Sequence, residues 1–146
     1  MQQKRIMIVD DEAGSTRLLK ANLELTGRYR VRIENRPENA VAAARRFKPD
    51  LFLLDIVMPH LSGTQLATQL QADPELKSIP IMFFTAADPS LLPEGSYPIL
   101  QGLPCISKPA CMEEILQSLD NVLSPPPVRD ARTSSGTPQL FGGQYE

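Results

Sequence analysis

An α/β fold built on a parallel sheet is what this sequence predicts, and three observations predict it. Short apolar runs of strand character alternate with longer segments of helical periodicity, the pattern of successive βα units. The runs at 51–54 and 81–84 are apolar at consecutive positions, as central strands covered on both faces are. Four runs also end on a residue that carries chemistry: Val9 leads into Asp10-Asp11, Leu54 into Asp55, Phe84 into Thr85, and Ser107 into Lys108-Pro109. Ligand sites of open parallel sheets lie beyond the carboxyl ends of the strands. Three carboxylates, a hydroxyl and an ammonium should therefore converge on one edge.

The elements follow in order. The first strand covers about residues 4–9 and the first helix about 13–26, with Gly27 as its stop. The second strand covers 29–34. A second helix begins at Pro37, whose fixed φ suits a first helical position, and runs through Val41, Ala44 and Phe47. The third strand spans 50–54, and the loop 55–62 leads to a third helix that Ser62 can cap, with Leu66 and Leu70 on one face. A fourth strand at 79–84 and a short fifth at 105–107 precede the clearest helix. In it, Met112, Ile115, Leu116, Leu119, Val122 and Leu123 fall on one face.

One crossover breaks the rhythm. Between the fourth and fifth strands stand Pro89, Pro93, Gly95, Pro98, Gly102 and Pro104, so the expectation is a short turn near 89–92 and then irregular chain. Tyr97, Ile99 and Leu100 would pack down in place of a helix face. After Leu123 the composition turns to Ser124-Pro125-Pro126-Pro127 and a Ser/Thr/Gly-rich stretch. The chain thus reads as one domain at 1–123 and a disordered tail at 124–146. The tail's one apolar spot, Leu140-Phe141, reads as solvated chain in preference to a docking peptide.

Composition excludes several classes. The 146 residues suffice for a single packed core. A net charge of −2 with interspersed signs offers no basic block for nucleic acid or an anionic membrane. Lys4-Arg5 is followed by only four apolar residues before the carboxylates, so no secretory h-region is expected there, and no stretch approaches transmembrane length. Cys105 and Cys111, spaced C-x5-C beside a single histidine in the chain, match no zinc pattern. They read as reduced, mostly buried thiols of a cytoplasmic protein.

The converging side chains suit phosphoryl chemistry at a magnesium ion. Mg²⁺ takes near-octahedral oxygen coordination and is held by one or two carboxylates plus a phosphoryl oxygen. Asp11 and Asp55 would ligate it, with Asp10 holding a coordinated water. Three adjacent carboxylates resist ionising together unless cations offset them, and the metal and Lys108 are those cations. Asp55 is the candidate nucleophile, forming an acyl phosphate. Lys108 neutralises charge on the transferring group, and the Thr85 hydroxyl and nearby backbone N–H groups contact its oxygens. Taken singly, each part has an ordinary reading: Asp10-Asp11 as a helix cap, Asp55 and Thr85 as turn residues, Lys108 as a surface charge. Their common place at strand ends is what joins them.

On these residues the sequence resembles the receiver domains of bacterial two-component response regulators. The match rests on Ile8-Val9-Asp10-Asp11-Glu12, Leu54-Asp55-Ile56-Val57-Met58-Pro59 with Gly63, Phe84-Thr85-Ala86 and Lys108-Pro109, over about residues 4–123. The resemblance implies a flavodoxin-like, doubly wound five-stranded parallel sheet of strand order 2-1-3-4-5, here with an irregular or shortened fourth helix. It implies a phosphoryl donor, a sensor histidine kinase or histidine phosphotransfer protein, and an unknown downstream protein. It also implies the Val57 backbone carbonyl as a further Mg²⁺ ligand, the Ala86 backbone beside the phosphoryl group, and a cis Lys108–Pro109 bond. The switch it implies draws Thr85 inward and moves an aromatic on the fifth strand; this chain has Cys105 where that aromatic stands. Val57 and Ala87, two residues beyond Asp55 and Thr85, are small and apolar, so slow self-dephosphorylation is expected. His60 reads as solvent-exposed and outside the chemistry.

The expectation is a stand-alone receiver that catalyses only its own phosphorylation and dephosphorylation. A phosphate-independent docking module is the alternative, favoured by Cys105 and the broken crossover. A haloacid-dehalogenase-like phosphatase fits less well, because its nucleophile lies on the first strand with a second Asp two residues later.

Overall fold

Four short apolar runs and the alternating segment at 29–34 are strands, and all five pair in parallel. The computed structural model describes residues 2–86 and 103–124. The expected turn near 89–92, the chain after it, Ala87 and the tail from Pro125 onward lie outside these residues. In chain order the elements are β1 (Lys4–Val9), α1 (Ala13–Leu25), β2 (Tyr29–Glu34), a 3-10 turn (Pro37–Asn39), α2 (Ala40–Phe47), β3 (Leu51–Leu54), α3 (Gly63–Ala72), β4 (Ile81–Thr85), β5 (Cys105–Ser107) and α4 (Met112–Leu123). The sheet order is β2-β1-β3-β4-β5, the doubly wound arrangement.

Alternation along the strands divides the core in two. Met7, Val9, Phe52, Leu54, Ile81 and Phe83 face one side, where Ala40, Ala44, Leu66 and Leu70 of α2 and α3 cover them. Ile6, Ile8, Leu51, Leu53, Met82 and Ile106 face the other, under Leu19 and Leu23 of α1 and Ile115 and Leu119 of α4. The doubly apolar character of β3 and β4 is the trace of this double cover.

Boundaries shift where local hydrogen bonding intervenes. Pro37 opens a 3-10 turn and α2 starts only at Ala40. β4 starts at Ile81 because the Ile79 N–H is taken by the Leu76 carbonyl at 3.0 Å and Pro80 has no N–H to give. Ser62 caps α3 as expected, its hydroxyl accepting from the Gln65 N–H while the Gln65 side chain accepts the Ser62 N–H. The expectation of buried thiols is overturned: Cys105 and Cys111 are both exposed. Cys105 lies on a three-residue strand at the edge of the sheet, and Cys111 caps the N-terminus of α4, a position open to solvent. Among the described residues no helix is long and apolar enough to cross a membrane.

Candidate functional site

The site assembles at the carboxyl edge of the sheet because each strand delivers its next residue there. Backbone bonds continue the ladders past the strand ends. The Asp10 N–H reaches the Glu34 carbonyl at 3.2 Å, the Asp55 N–H the Val9 carbonyl at 2.9 Å, and the Lys108 N–H the Thr85 carbonyl at 2.8 Å. Asp10, Asp55, Thr85 and Lys108 are thus placed by the sheet itself.

Asp10 is buried, and every side of it is engaged. Its Oδ1 accepts the Glu12 N–H at 2.9 Å, and its Oδ2 accepts the Lys108 ammonium at 2.6 Å. The Asn35 amide donates to its carbonyl at 2.7 Å and reaches the Thr16 hydroxyl at 3.2 Å. Glu12, not either aspartate, occupies the N-cap of α1, so the Asp10-Asp11 pair is not a helix cap. Asp11 is exposed, and Asp10, Asp11 and Asp55 each offer an oxygen within 4.8 Å of the others.

Asp55 lies half-buried at the centre. Burial pushes its carboxyl above the ordinary carboxylate range, and the charge of Asp10 adds to that. The Thr85 hydroxyl bond, the Lys108 charge and the Val57 N–H pull the other way. The contact that Val57 makes to the Asp55 carboxylate is through its N–H, while its side chain is exposed. The loop is held by a close approach: the Gly63 N–H donates to the Ile56 carbonyl at 2.8 Å. A Cβ on Gly63 would meet the Asp55 carbonyl oxygen at 2.1 Å.

Lys108 reaches back over the site from a cis Lys108–Pro109 bond. Its ammonium lies on Asp10 and 5.1 Å from the centre of the Phe84 ring. Ala86 follows Thr85 and is exposed. From Asp10, Asp55 and Lys108 a cavity of about 390 Å³ runs between α1 and α4, walled by Leu18, Leu19, Leu53, Phe84, Met112 and Ile115. His60, exposed with φ 71°, does not line this cavity, and neither does Cys105.

Three carboxylates against one ammonium leave the equivalent of two negative charges, so the donor set suits a divalent cation. Oxygens on one octahedral Mg²⁺ lie about 3–4 Å apart. The three carboxylates, each with an oxygen within 4.8 Å of the others, are of a type and closeness that fit such an ion. Asn35 and Phe84 were not singled out by sequence reasoning. Asn35 obeys the rule that found the others, being the residue after the end of β2. Phe84 reads as strand and as part of the Phe84-Thr85-Ala86 match, and nothing in its own run marks a partner 24 positions on.

Residues 6–120 match the response regulator receiver domain family, and the chain belongs to that family. It is 37% identical over 121 residues to protein PilH of Pseudomonas aeruginosa, a similarity covering 82% of this chain and 98% of PilH. Response regulator PleD of Caulobacter vibrioides is 38% identical over 84 residues, 58% of this chain and 18% of PleD. The chain therefore corresponds to one portion of PleD. The receiver domain of sensor histidine kinase PA1611 from P. aeruginosa, with a magnesium ion coordinated in its active site cleft, superimposes with a TM-score of 0.71. That likeness is at 26% identity, over 84% of this chain and 98% of the other.

Proposed function

We propose that this chain is a receiver that accepts a phosphoryl group on Asp55 from a phosphohistidine of a sensor kinase or phosphotransfer protein, and signals by protein–protein contact. The observation that carries the reading is the meeting of Asp10, Asp11 and Asp55 within 4.8 Å, with Lys108 and Thr85 on the same rim. An Asp55 carboxylate oxygen attacks phosphorus, the P–N bond to the donor imidazole breaks, and an acyl phosphate remains. Asp10, Asp11, Asp55 and the Val57 carbonyl would hold Mg²⁺, which supplies charge neutralisation at the transferring oxygens when bound. Thr85 and the Ala86 N–H contact those oxygens. Lys108 moves from Asp10 toward them as their charge develops.

No metabolite is turned over in this reading, and the compartment is the cytoplasm. Val57 has no group to orient an attacking water, and Ala87 is equally apolar, so the acyl phosphate persists for minutes or longer. Decay within seconds of removing the donor contradicts this. A docking module that ignores phosphate is the second reading, favoured by the small, exposed Cys105 at the switch position. The deciding experiment is intact mass after incubation with Mg²⁺ and acetyl phosphate. A gain of one phosphoryl group in the wild type and none in Asp55→Asn is expected. No gain with either acetyl phosphate or a phosphorylated histidine kinase favours the docking module.

A further inference from the structure

We infer that Phe84 is a positioning residue for Lys108, acting on phosphoryl transfer through the lysine without touching the phosphoryl group; the inference rests on the acceptor reading above. Phe84 and Thr85 are neighbours on β4 whose side chains leave opposite faces of the strand. Thr85 turns to Asp55, while the Phe84 ring joins the face covered by α1 and α4. In register, Phe84 lies opposite Ile106 and Thr85 opposite Ser107 on β5, and the Lys108 N–H is bound to the Thr85 carbonyl at 2.8 Å. The Lys108 backbone is therefore anchored just beyond the ring, and its side chain must pass the ring to reach Asp10.

The ammonium ends 2.6 Å from Asp10 Oδ2 and 5.1 Å from the ring centre, within the range of a cation–π contact. Two attractions of different kind thus fix one flexible side chain. Asp10 binds the charge directly, and the face of the Phe84 ring offers it a second support. The ring also walls the 390 Å³ cavity between α1 and α4, an open volume that Lys108 lines as well and into which its stem could fall. An aliphatic residue at 84 would pad the wall but offer no face to a cation. Phe84 accordingly holds the ammonium at the carboxylate rim, within a short movement of the group arriving on Asp55.

The contact has a direct spectroscopic signature. Protons held over an aromatic face resonate upfield, and the chain has only five lysines to distinguish. In ¹H–¹³C spectra of the full chain, the Lys108 ε-methylene protons, assigned by their loss in Lys108→Arg, are expected upfield of those of Lys4, Lys20, Lys48 and Lys77. Phe84→Tyr keeps the shift and Phe84→Leu abolishes it. At saturating Mg²⁺, labelling by acetyl phosphate is expected to slow about fivefold in Phe84→Leu, the scale of one partly exposed cation–π contact. It is expected to stay within about twofold of wild type in Phe84→Tyr, because a second aromatic face restores the contact. Lys108 protons at ordinary positions in the wild type overturn the inference, whatever the variants do. So does a Tyr variant as slow as the Leu variant, or a Leu variant as fast as the wild type. A wild type that keeps the shift but takes no label from acetyl phosphate or from a phosphorylated histidine kinase overturns the acceptor reading instead, which separates the two failures.

Discussion

At Gly63 a methyl group would lie 2.1 Å from the Asp55 carbonyl oxygen and 2.8 Å from the Ile56 Cα, both backbone atoms that cannot swing aside. The loop that begins at Asp55 is thus seated against the first turn of α3 through a residue with no side chain. Gly63→Ala is expected to cost about 1–3 kcal/mol, as overpacking against fixed atoms does, and to slow labelling of Asp55. Thermal melts and intact mass check the two effects. The raised carboxyl of Asp55 has its own consequence. Folding disfavours its charged form, chiefly through burial and then through Asp10. The penalty is absent below the ordinary value of 3.8 and complete once the pH exceeds the raised one. In metal-free buffer at pH 7, Asp55→Asn should therefore melt higher than wild type, by about 3 °C for relief of roughly 1 kcal/mol or less at a half-exposed site. Near pH 3 the two should melt together. A variant that melts lower than wild type at pH 7 contradicts this account.

The elements themselves are joined by ion pairs of unequal consequence. Asp73 is buried at the C-terminus of α3, where the Arg45 guanidinium of α2 donates to it from Nε at 3.1 Å and also from Nη2. Its Oδ1 caps the following turn by accepting the Glu75 N–H at 2.9 Å. The Arg45 hydrogen bond, helped by that N–H, holds the Asp73 carboxyl below the ordinary range. Its stabilising effect is present above about pH 4 and is lost as the pH falls through the lowered value. Asp73→Asn is expected to melt lower than wild type at pH 7, with the gap closing in acid; equal melting at pH 7 rules the coupling out. This bridge is invisible in sequence, because Arg45 and Asp73 belong to different helices and neither breaks its own pattern. The strands and helices were legible for the opposite reason, since a buried face imposes its period on consecutive residues. The acidic site was legible too, because a parallel sheet sends every strand's next residue to one edge. What escaped is lateral: Asn35 behind Asp10, Phe84 beneath Lys108, and the exposure of Cys105 and Cys111, each decided by packing between distant segments.

On the scale of the whole molecule, the two cores cover both faces of the sheet, and its carboxyl edge forms a rim of fixed backbone positions at Asp10, Asp55 and Lys108. A divalent ion that binds this rim binds only the folded state, so Mg²⁺ should raise the melting temperature of the wild type. The stabilisation should be about 2.7 kcal/mol at a hundred times its dissociation constant. Asp11→Asn, altering an exposed carboxylate, should fold normally and lose most of that increment; an unchanged increment would remove Asp11 from the ion's ligands.

The groups proposed to react lie at positions 10, 55, 85 and 108, and no two of them are brought together by local structure alone. Their meeting requires β1, β3, β4 and β5 to pair in order, through contacts distant in sequence that cost loop-closure entropy to form. On the proposed function, uptake of a phosphoryl group would therefore work as a census of completed molecules. A nascent or damaged chain lacking any one of these strands carries the same aspartate and stays silent. Through increasing urea, the initial rate of labelling should trace the same sigmoid as the loss of helix, so a signal carried by Asp55 would report at once on the donor and on the integrity of the receiver.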